Sequence, residues 1–253
     1  LRELTHKYEL DFICTPFDEV SLQNLVSMDV DFIKIASFDF GNLPFVEQVI
    51  KTNKHFVLST GGSYYDLVDV FVSKLIEKNA KFSLLHCVSN YPCPPEEVNL
   101  GRIRHLKEKF PNLQIGLSDH FSGILTGPLG LMCGAEIFEK HVTFNRSSKG
   151  TDHAFSLSIE GMKKFVRDIN RVPQMLGKAQ PGSIGEEYVF TKLGKSIVAK
   201  IDIEKGKVFR AEMLTGVIHR SGLPVRNSMQ LFGKLATKSY KQGERIDVSE
   251  IED

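Results

Sequence analysis

No apolar run in the sequence approaches the roughly 20 residues that cross a bilayer, and no signal-peptide pattern opens it. A membrane-spanning or secreted protein is therefore not expected, and the cytoplasm is the expected location. An excess of either charge is also lacking. The 253 residues carry 32 basic and 31 acidic side chains, a net charge of +1. With both signs spread along the chain, neither nucleic acid nor a membrane surface is an expected partner. The four cysteines (Cys14, Cys87, Cys93, Cys133) form no CxxC pair, which excludes a disulfide framework and fits a reducing compartment. No GxGxxG follows a first strand-like run, so a dinucleotide fold has little support. An initiator Met and a capping residue are absent too. The chain opens inside the helical string LRELTHKYEL, which leads us to expect that it is truncated at its N-terminus.

Short apolar runs alternate with amphipathic stretches through about residue 175. The runs are Phe12–Thr15, Phe32–Ala36, Phe56–Thr60, Phe82–Cys87, Gln114–Ser118 and Glu136–His141, at the spacing of βα units. Between them lie helical stripes such as Leu67, Val70, Phe71, Lys74 and Leu75. Strands that are apolar without alternation are buried on both faces, so the class is α/β with a parallel sheet. The runs end in small or polar residues: Thr15, Ser37, Ser59-Thr60-Gly61-Gly62, His86, Ser118-Asp119-His120 and His141. Polar groups at successive strand ends favour a TIM-type (β/α)8 barrel, whose strands converge on one mouth. Only about six of its βα units are present.

Residues 1–176 are thus expected to form the barrel part, 177–190 a Gly-rich linker, and 191–253 a small β-rich module. That module holds a weak repeat: GKSIVAKIDIEKGKVFRAEML at 194–214 resembles GKLATKSYKQGERIDVSEIE at 233–252. A unit of that size carries little core of its own and is expected to dock on something.

His120 and His141 each end a predicted strand. On neighbouring strands both imidazoles would reach one cation, and two imidazoles plus oxygen ligands suit Mn2+, Zn2+ or Fe2+ better than Mg2+. The competing reading is two hydrogen-bonded core histidines, since no HxH or HExxH accompanies them. Lys34 sits in mid-strand, where an ammonium requires a partner. With Ser37, Ser59, Ser118 and the Thr60-Gly61-Gly62 turn it would form a cradle for phosphate or carboxylate. The bland alternative is a lysine snorkelling to a rim. Asp119 and Glu139 flank the histidines and are expected to orient them. Asp39 and Asp152 add carboxylates nearby, and Tyr91 sits on the loop Asn90-Tyr91-Pro92-Cys93-Pro94-Pro95 as a pocket wall. His6, His55, His105, His153 and His219 read as surface or packing residues, and Cys87 or Cys93 has little support as a catalytic thiol.

Several strings together carry a family resemblance: CTPF at 14–17, KIAS at 34–37, LSTGG at 58–62, LLHC at 84–87 with NYP at 90–92, IGLSDH at 115–120 and EKH at 139–141. In this order they resemble the sialic acid synthases, meaning the N-acetylneuraminate synthases and their pseudaminic, legionaminic and spore-coat relatives. The string LGKSIVAKIDIEKG with HRSG at 219–222 resembles their C-terminal antifreeze-like (SAF) domain. The resemblance implies condensation of phosphoenolpyruvate with an N-acylated hexosamine, giving a nine-carbon 2-keto acid. It implies a divalent metal, usually Mn2+ with Mg2+ as the alternative, and a domain-swapped homodimer. Lys34, Ser37, Ser59 and Ser118 match positions that bind phosphoenolpyruvate, and His120 and His141 match metal ligands. Asp39, Tyr91 and Asp152 match sugar contacts, and Arg220 matches an arginine reaching the partner subunit's site. Ser89 departs from the family, which often carries Asn there. The family's first-strand catalytic Glu and first two βα units are expected upstream of Leu1. Two other readings stand beside this one. A non-catalytic fragment would act as a dimerisation or binding module. An aldolase acting on a phosphorylated sugar would need a second basic cluster at the mouth, which the sequence does not supply.

Overall fold

Each of the six apolar runs becomes a strand: β1 (Ile13–Cys14), β2 (Phe32–Ile35), β3 (Phe56–Ser59), β4 (Phe82–Cys87), β5 (Ile115–Asp119) and β6 (Ile137–Lys140). The computed structural model describes residues 1–177, 188–218, 221–247, 249 and 251–252, so most of the predicted linker lies outside the described residues. The chain divides into two compact units, Leu1–Gly177 and Lys178–Asp253.

In the first unit every strand pair is parallel and the sheet order is β1-β2-β3-β4-β5-β6. A doubly wound sheet reverses its order part-way. Here it never reverses, and right-handed crossovers then put all connecting helices on one face. The sheet must close its other face on itself, and one contact shows that it does. Lys34 on β2 lies 3.7 Å from Glu139 on β6, although four strand spacings in a flat sheet would separate them by roughly 19 Å. The six strands form an arc of a TIM-type barrel, with β1 and β6 as its end strands.

The helices on the outer face are α1 (Arg2–Lys7), α2 (Glu19–Ser27), α3 (Leu43–Lys51), α4 (Tyr65–Glu77), α5 (Gly101–Lys109), α6 (Thr126–Met132) and α7 (Ile159–Leu176). Side-chain caps start three of them: Asp18 accepts from Ser21 N at 2.6 Å, Asn42 from Phe45 N at 3.4 Å, and Ser158 from Gly161 N at 3.1 Å. α4 corrects the stripe read from sequence. It buries Val68, Phe71, Val72 and Leu75, while Leu67 and Val70 are exposed. Two overlapping stripes satisfy the same i, i+3, i+4 spacing, and the buried one carries no charge where the other includes Lys74. Between these helices and the strands lies the main core, including Ile33, Ile35, Leu58, Leu84 and Ile115, each contributing about 1.5–3 kcal/mol by burial.

Sequence pattern did not reveal β7 (Val142–Thr143) and β8 (Leu157–Ser158), which pair in parallel. β6 stops at Lys140, His141 separates it from β7, and the segment after β7 returns to β8. This excursion brings Asp152 back beside His141.

The second unit contains α8 (Tyr188–Leu193), β9 (Lys195–Ala199), β10 (Leu214–Ile218), β11 (Leu235–Ala236) and β12 (Ile251–Glu252). The repeat is real as structure. β9 pairs antiparallel with β10 in the first copy, as β11 does with β12 in the second. Ile203 and the equivalent Tyr240 exchange both backbone hydrogen bonds, at 2.8 Å each. Gly206 N donates to Ala236 O, and the equivalent Gly243 N donates to Ala199 O. Swapping the copies maps each bond onto its counterpart, the mark of a pseudo-twofold. Gly206 and Gly243 have φ of 80° and 84°, a left-handed turn that only glycine adopts without strain.

Candidate active site

Four strands, β2 to β5, supply an anion cradle. The Lys34 ammonium, 6% exposed, donates to Ser59 Oγ at 2.8 Å and to Ile35 O at 2.9 Å. Burial pulls its pKa below the ordinary lysine value, with Glu139 opposing. After β2 the chain turns at Ser37, whose Oγ accepts from Gly61 N at 2.9 Å. A Cβ on Gly61 would lie 2.1 Å from Ser89 Oγ and 2.7 Å from Ser37 Oγ. Glycine therefore lets the backbone N–H approach this ring of hydroxyls. Cys87, Ser118 and Glu139 stand in one cross-strand row over β4, β5 and β6. The Cys87 thiol lies 3.4 Å from Ser37 Oγ and 3.9 Å from His120 Nδ1. Burial pushes its pKa up, but bonds to His120 and Ser37 leave it below the ordinary thiol value.

Across from the cradle the rings of His120 and His141 stand 5.4 Å apart, with 68° between their planes. His120 Nδ1 lies 2.8 Å from Val88 O. That carbonyl can only accept, so Nδ1 carries the proton and Nε2 presents its lone pair. His141 Nδ1 lies 3.6 Å from Asp152 Oδ2. Burial, then the proximity of His120, lowers the His141 pKa and keeps it in the neutral, metal-ligating form. For His120 burial acts downward, while its bonds to Cys87 and Val88 leave the pKa raised. The Tyr91 ring lies 4.0 Å from that of His120 with 39° between their planes, and the Phe155 ring lies 5.0 Å from that of His141. The two aromatic rings wall the pair.

A metal bound at about 2.1 Å by two imidazoles brings their ring centres to roughly 5 Å, so the spacing fits. Among the described residues no set of three or more His, Cys, Asp or Glu is arranged to hold a metal. Two protein ligands would leave the remaining positions to water and substrate oxygens, as an open catalytic site requires.

With this arrangement in view, the comparison that decides the family is direct: the model of the NeuB family matches residues 1–181. The chain belongs to the NeuB family. It is 34% identical over 244 residues to the N,N'-diacetyllegionaminic acid synthase of Campylobacter jejuni, covering 95% of this chain and 73% of that protein. The N-acetylneuraminate-9-phosphate synthase of Homo sapiens is 30% identical over 248 residues, covering 97% of this chain and 69% of that one. Among solved structures, the N-acetylneuraminic acid synthetase of Leptospira borgpetersenii, in complex with citrate, superposes with a TM-score of 0.68 at 34% identity. That match covers 74% of this chain and 65% of the other. These relatives are synthases, enzymes of the transferase type.

Within this NeuB-family chain the structure brings together Lys34, Ser37, Ser59, Ser118, His120, His141, Tyr91 and Asp152. Asp39 lies two residues past Ser37, where its Oδ1 accepts from Asn42 Nδ2 at 2.8 Å. Arg220 and His219 lie outside the described residues. Three sequence readings need correction. Asp119 does not hydrogen-bond the His120 ring: its carboxylate faces the other side of the sheet, where Lys140 donates to it at 2.6 Å. Val88 O holds His120 instead. Glu139 likewise turns to Lys34 rather than to His141. His86 also points away from the mouth, with Nε2 2.8 Å from Val98 O. Sequence reasoning missed Phe155 as a wall and Cys87 as part of the cradle. LLHC marked Cys87 only as a strand end. Burial, then Glu97, pushes the Cys93 thiol to about 11, which removes it as a nucleophile.

Proposed function

We propose that the protein condenses phosphoenolpyruvate with an N-acylated hexosamine, such as N-acetylmannosamine, giving a nine-carbon 2-keto sugar acid and phosphate. One observation carries the reading: a buried ammonium with hydroxyl donors faces a pair of neutral-competent imidazoles across a single mouth. An anionic enol phosphate fits the first half and a polarised aldehyde the second.

Lys34, Ser37, Ser59 and Ser118 hold the phosphate and carboxylate and place C3 of phosphoenolpyruvate toward the histidines. Positioning of this kind supplies much of a two-substrate rate enhancement. His120 and His141 would hold Mn2+, with Mg2+ as the alternative, and the cation supplies Lewis acidity at the aldehyde oxygen. C3 attacks the aldehyde carbon, water adds at C2, and the C2–O bond to phosphate breaks. One proton of that water ends on the new hydroxyl and the other on phosphate. Tyr91, Asp152 and Asp39 are assigned to the sugar. Residues 191–253 are read as an SAF domain, and Arg220 as its contact with the sugar in the partner's site of a domain-swapped homodimer. The pseudo-twofold of the second unit supports a self-contained module suited to that role. The enzyme is placed in the cytoplasm, and no described helix is long and apolar enough to cross a membrane.

Phosphate release from phosphoenolpyruvate by full-length protein with Mn2+, across a panel of N-acylated mannose-type and bacillosamine-type sugars, tests the proposal. Sugar-dependent release is expected with at least one. Absence with all would return the chain to a binding or dimerisation module.

A further inference from the structure

Asp119 and Lys140 precede the two histidines in sequence and face each other in the β5–β6 register. Their side chains are 2% and 3% exposed and lie on the sheet face opposite the mouth. Burying an ion pair costs several kcal/mol per ion before the attraction repays it, and apolar residues of similar volume often serve stability as well or better. What an apolar pair cannot do is hold backbone polar groups, and this pair holds two, together with a threonine hydroxyl. Asp119 Oδ1 accepts from Phe121 N at 3.0 Å. Its Oδ2 accepts from Lys140 Nζ at 2.6 Å and from the Thr126 hydroxyl. Lys140 donates in addition to Phe121 O. The residue after His120 is thus fixed at both its N–H and its C=O, and the carboxylate that fixes it belongs to the residue before. The same ammonium anchors the residue just before His141. Alongside the strand, through a parallel bridge, His120 O accepts from Cys93 N at 3.0 Å. The backbone around the His120 ring is therefore tied at His120 O and at Phe121, and one buried ion pair, in addition to the backbone ladder, links β5 to β6 immediately before the two histidines.

We propose that Asp119 and Lys140, with Thr126, form a positioning clamp that sets the spacing of His120 and His141 from behind the sheet. The clamp rests on the metal reading of the two histidines. It makes Asp119, Lys140 and Thr126 determinants of divalent-metal affinity, although none of them faces the metal.

The test measures Mn2+ affinity by the electron paramagnetic resonance of free Mn2+, and phosphoenolpyruvate affinity without metal by calorimetry, in full-length protein. Thermal midpoints are recorded alongside. Asp119→Asn and Lys140→Met should each weaken Mn2+ binding about 10–100-fold, the usual cost of losing an outer support of a metal ligand, with phosphoenolpyruvate affinity unchanged. Each single variant leaves a buried charge unpaired and should lose thermal stability. The double variant Asp119→Leu with Lys140→Met should regain much of that stability and still bind Mn2+ weakly. Thr126→Val, which keeps the ion pair and the volume, should give a smaller loss of Mn2+ affinity and carries the test if the others fail to fold. Wild-type Mn2+ affinity in the double variant and in Thr126→Val would reduce the pair to a packing feature and overturn the clamp. A wild-type protein that binds no Mn2+ would overturn the metal reading itself, and the clamp with it.

Discussion

Lys34 concentrates the argument at the residue scale, because an ammonium this buried is tolerable only with acceptors and an anion to meet. Lys34→Met should lower kcat/KM for phosphoenolpyruvate about 10–100-fold, the worth of one or two charge-assisted hydrogen bonds. Lys34→Arg should not rescue it, since the planar fork cannot replace a point charge in so narrow a site. Steady-state kinetics checks both. His86 gives a pH prediction. Burial, with Arg102 nearby and its bond to Val98 O opposing, holds its pKa below the ordinary histidine value. A depressed folded pKa means that the unfolded chain takes up the proton first. The contribution of His86 is then whole above pH ~6.5 and is lost as pH falls below it. Between pH 7 and 5 the Tm of wild type should fall more steeply than that of His86→Gln. The types of residue at the strand ends were legible in the sequence, but their faces were not. One residue of slip sends a side chain to the opposite face, which is how Asp119 and His86 were read into a mouth they turn away from.

At the scale of elements, the six strands were legible because a run apolar on both faces between amphipathic stretches has few other readings. β7 and β8 were not, since two residues hold no period. α4 was legible as a helix but not in its rotation, because its apolar residues fit two stripes. Glycine marks where elements approach most closely. A Cβ on Gly116 would stand 2.4 Å from Ile137 O and 2.6 Å from a Leu85 methyl. The first obstacle is backbone, so β5 and β6 would have to part. Gly116→Ala should cost about 1–3 kcal/mol or more in urea unfolding. It should also weaken Mn2+ binding, because the same two strands carry His120 and His141.

For the whole molecule, strand order decides the architecture: an unreversed parallel sheet that brings β2 within reach of β6 gathers six strand ends at one mouth. The second unit's symmetry was faintly legible in its Gly-Lys starts and Gly turns, and the reciprocal bonds of Ile203 with Tyr240, with the matched bonds of Gly206 to Ala236 and of Gly243 to Ala199, give it physical form. The proposed domain swap makes its own prediction. His120→Ala and Arg220→Ala subunits, each inactive alone, should regain part of the wild-type rate when unfolded together and refolded as mixed dimers. A hybrid then pairs one intact barrel with one intact arginine. No regain would place Arg220 in its own subunit's site or outside the reaction. The central claim, that the Lys34 cradle and the His120–His141 pair act on two substrates in one mouth, is tested most directly by product stoichiometry. Full-length enzyme with Mn2+, phosphoenolpyruvate and the accepted N-acyl sugar should release phosphate and a nine-carbon 2-keto acid one for one, and His120→Ala should abolish both. Phosphate released without the sugar acid, or an undiminished rate in His120→Ala, would contradict it.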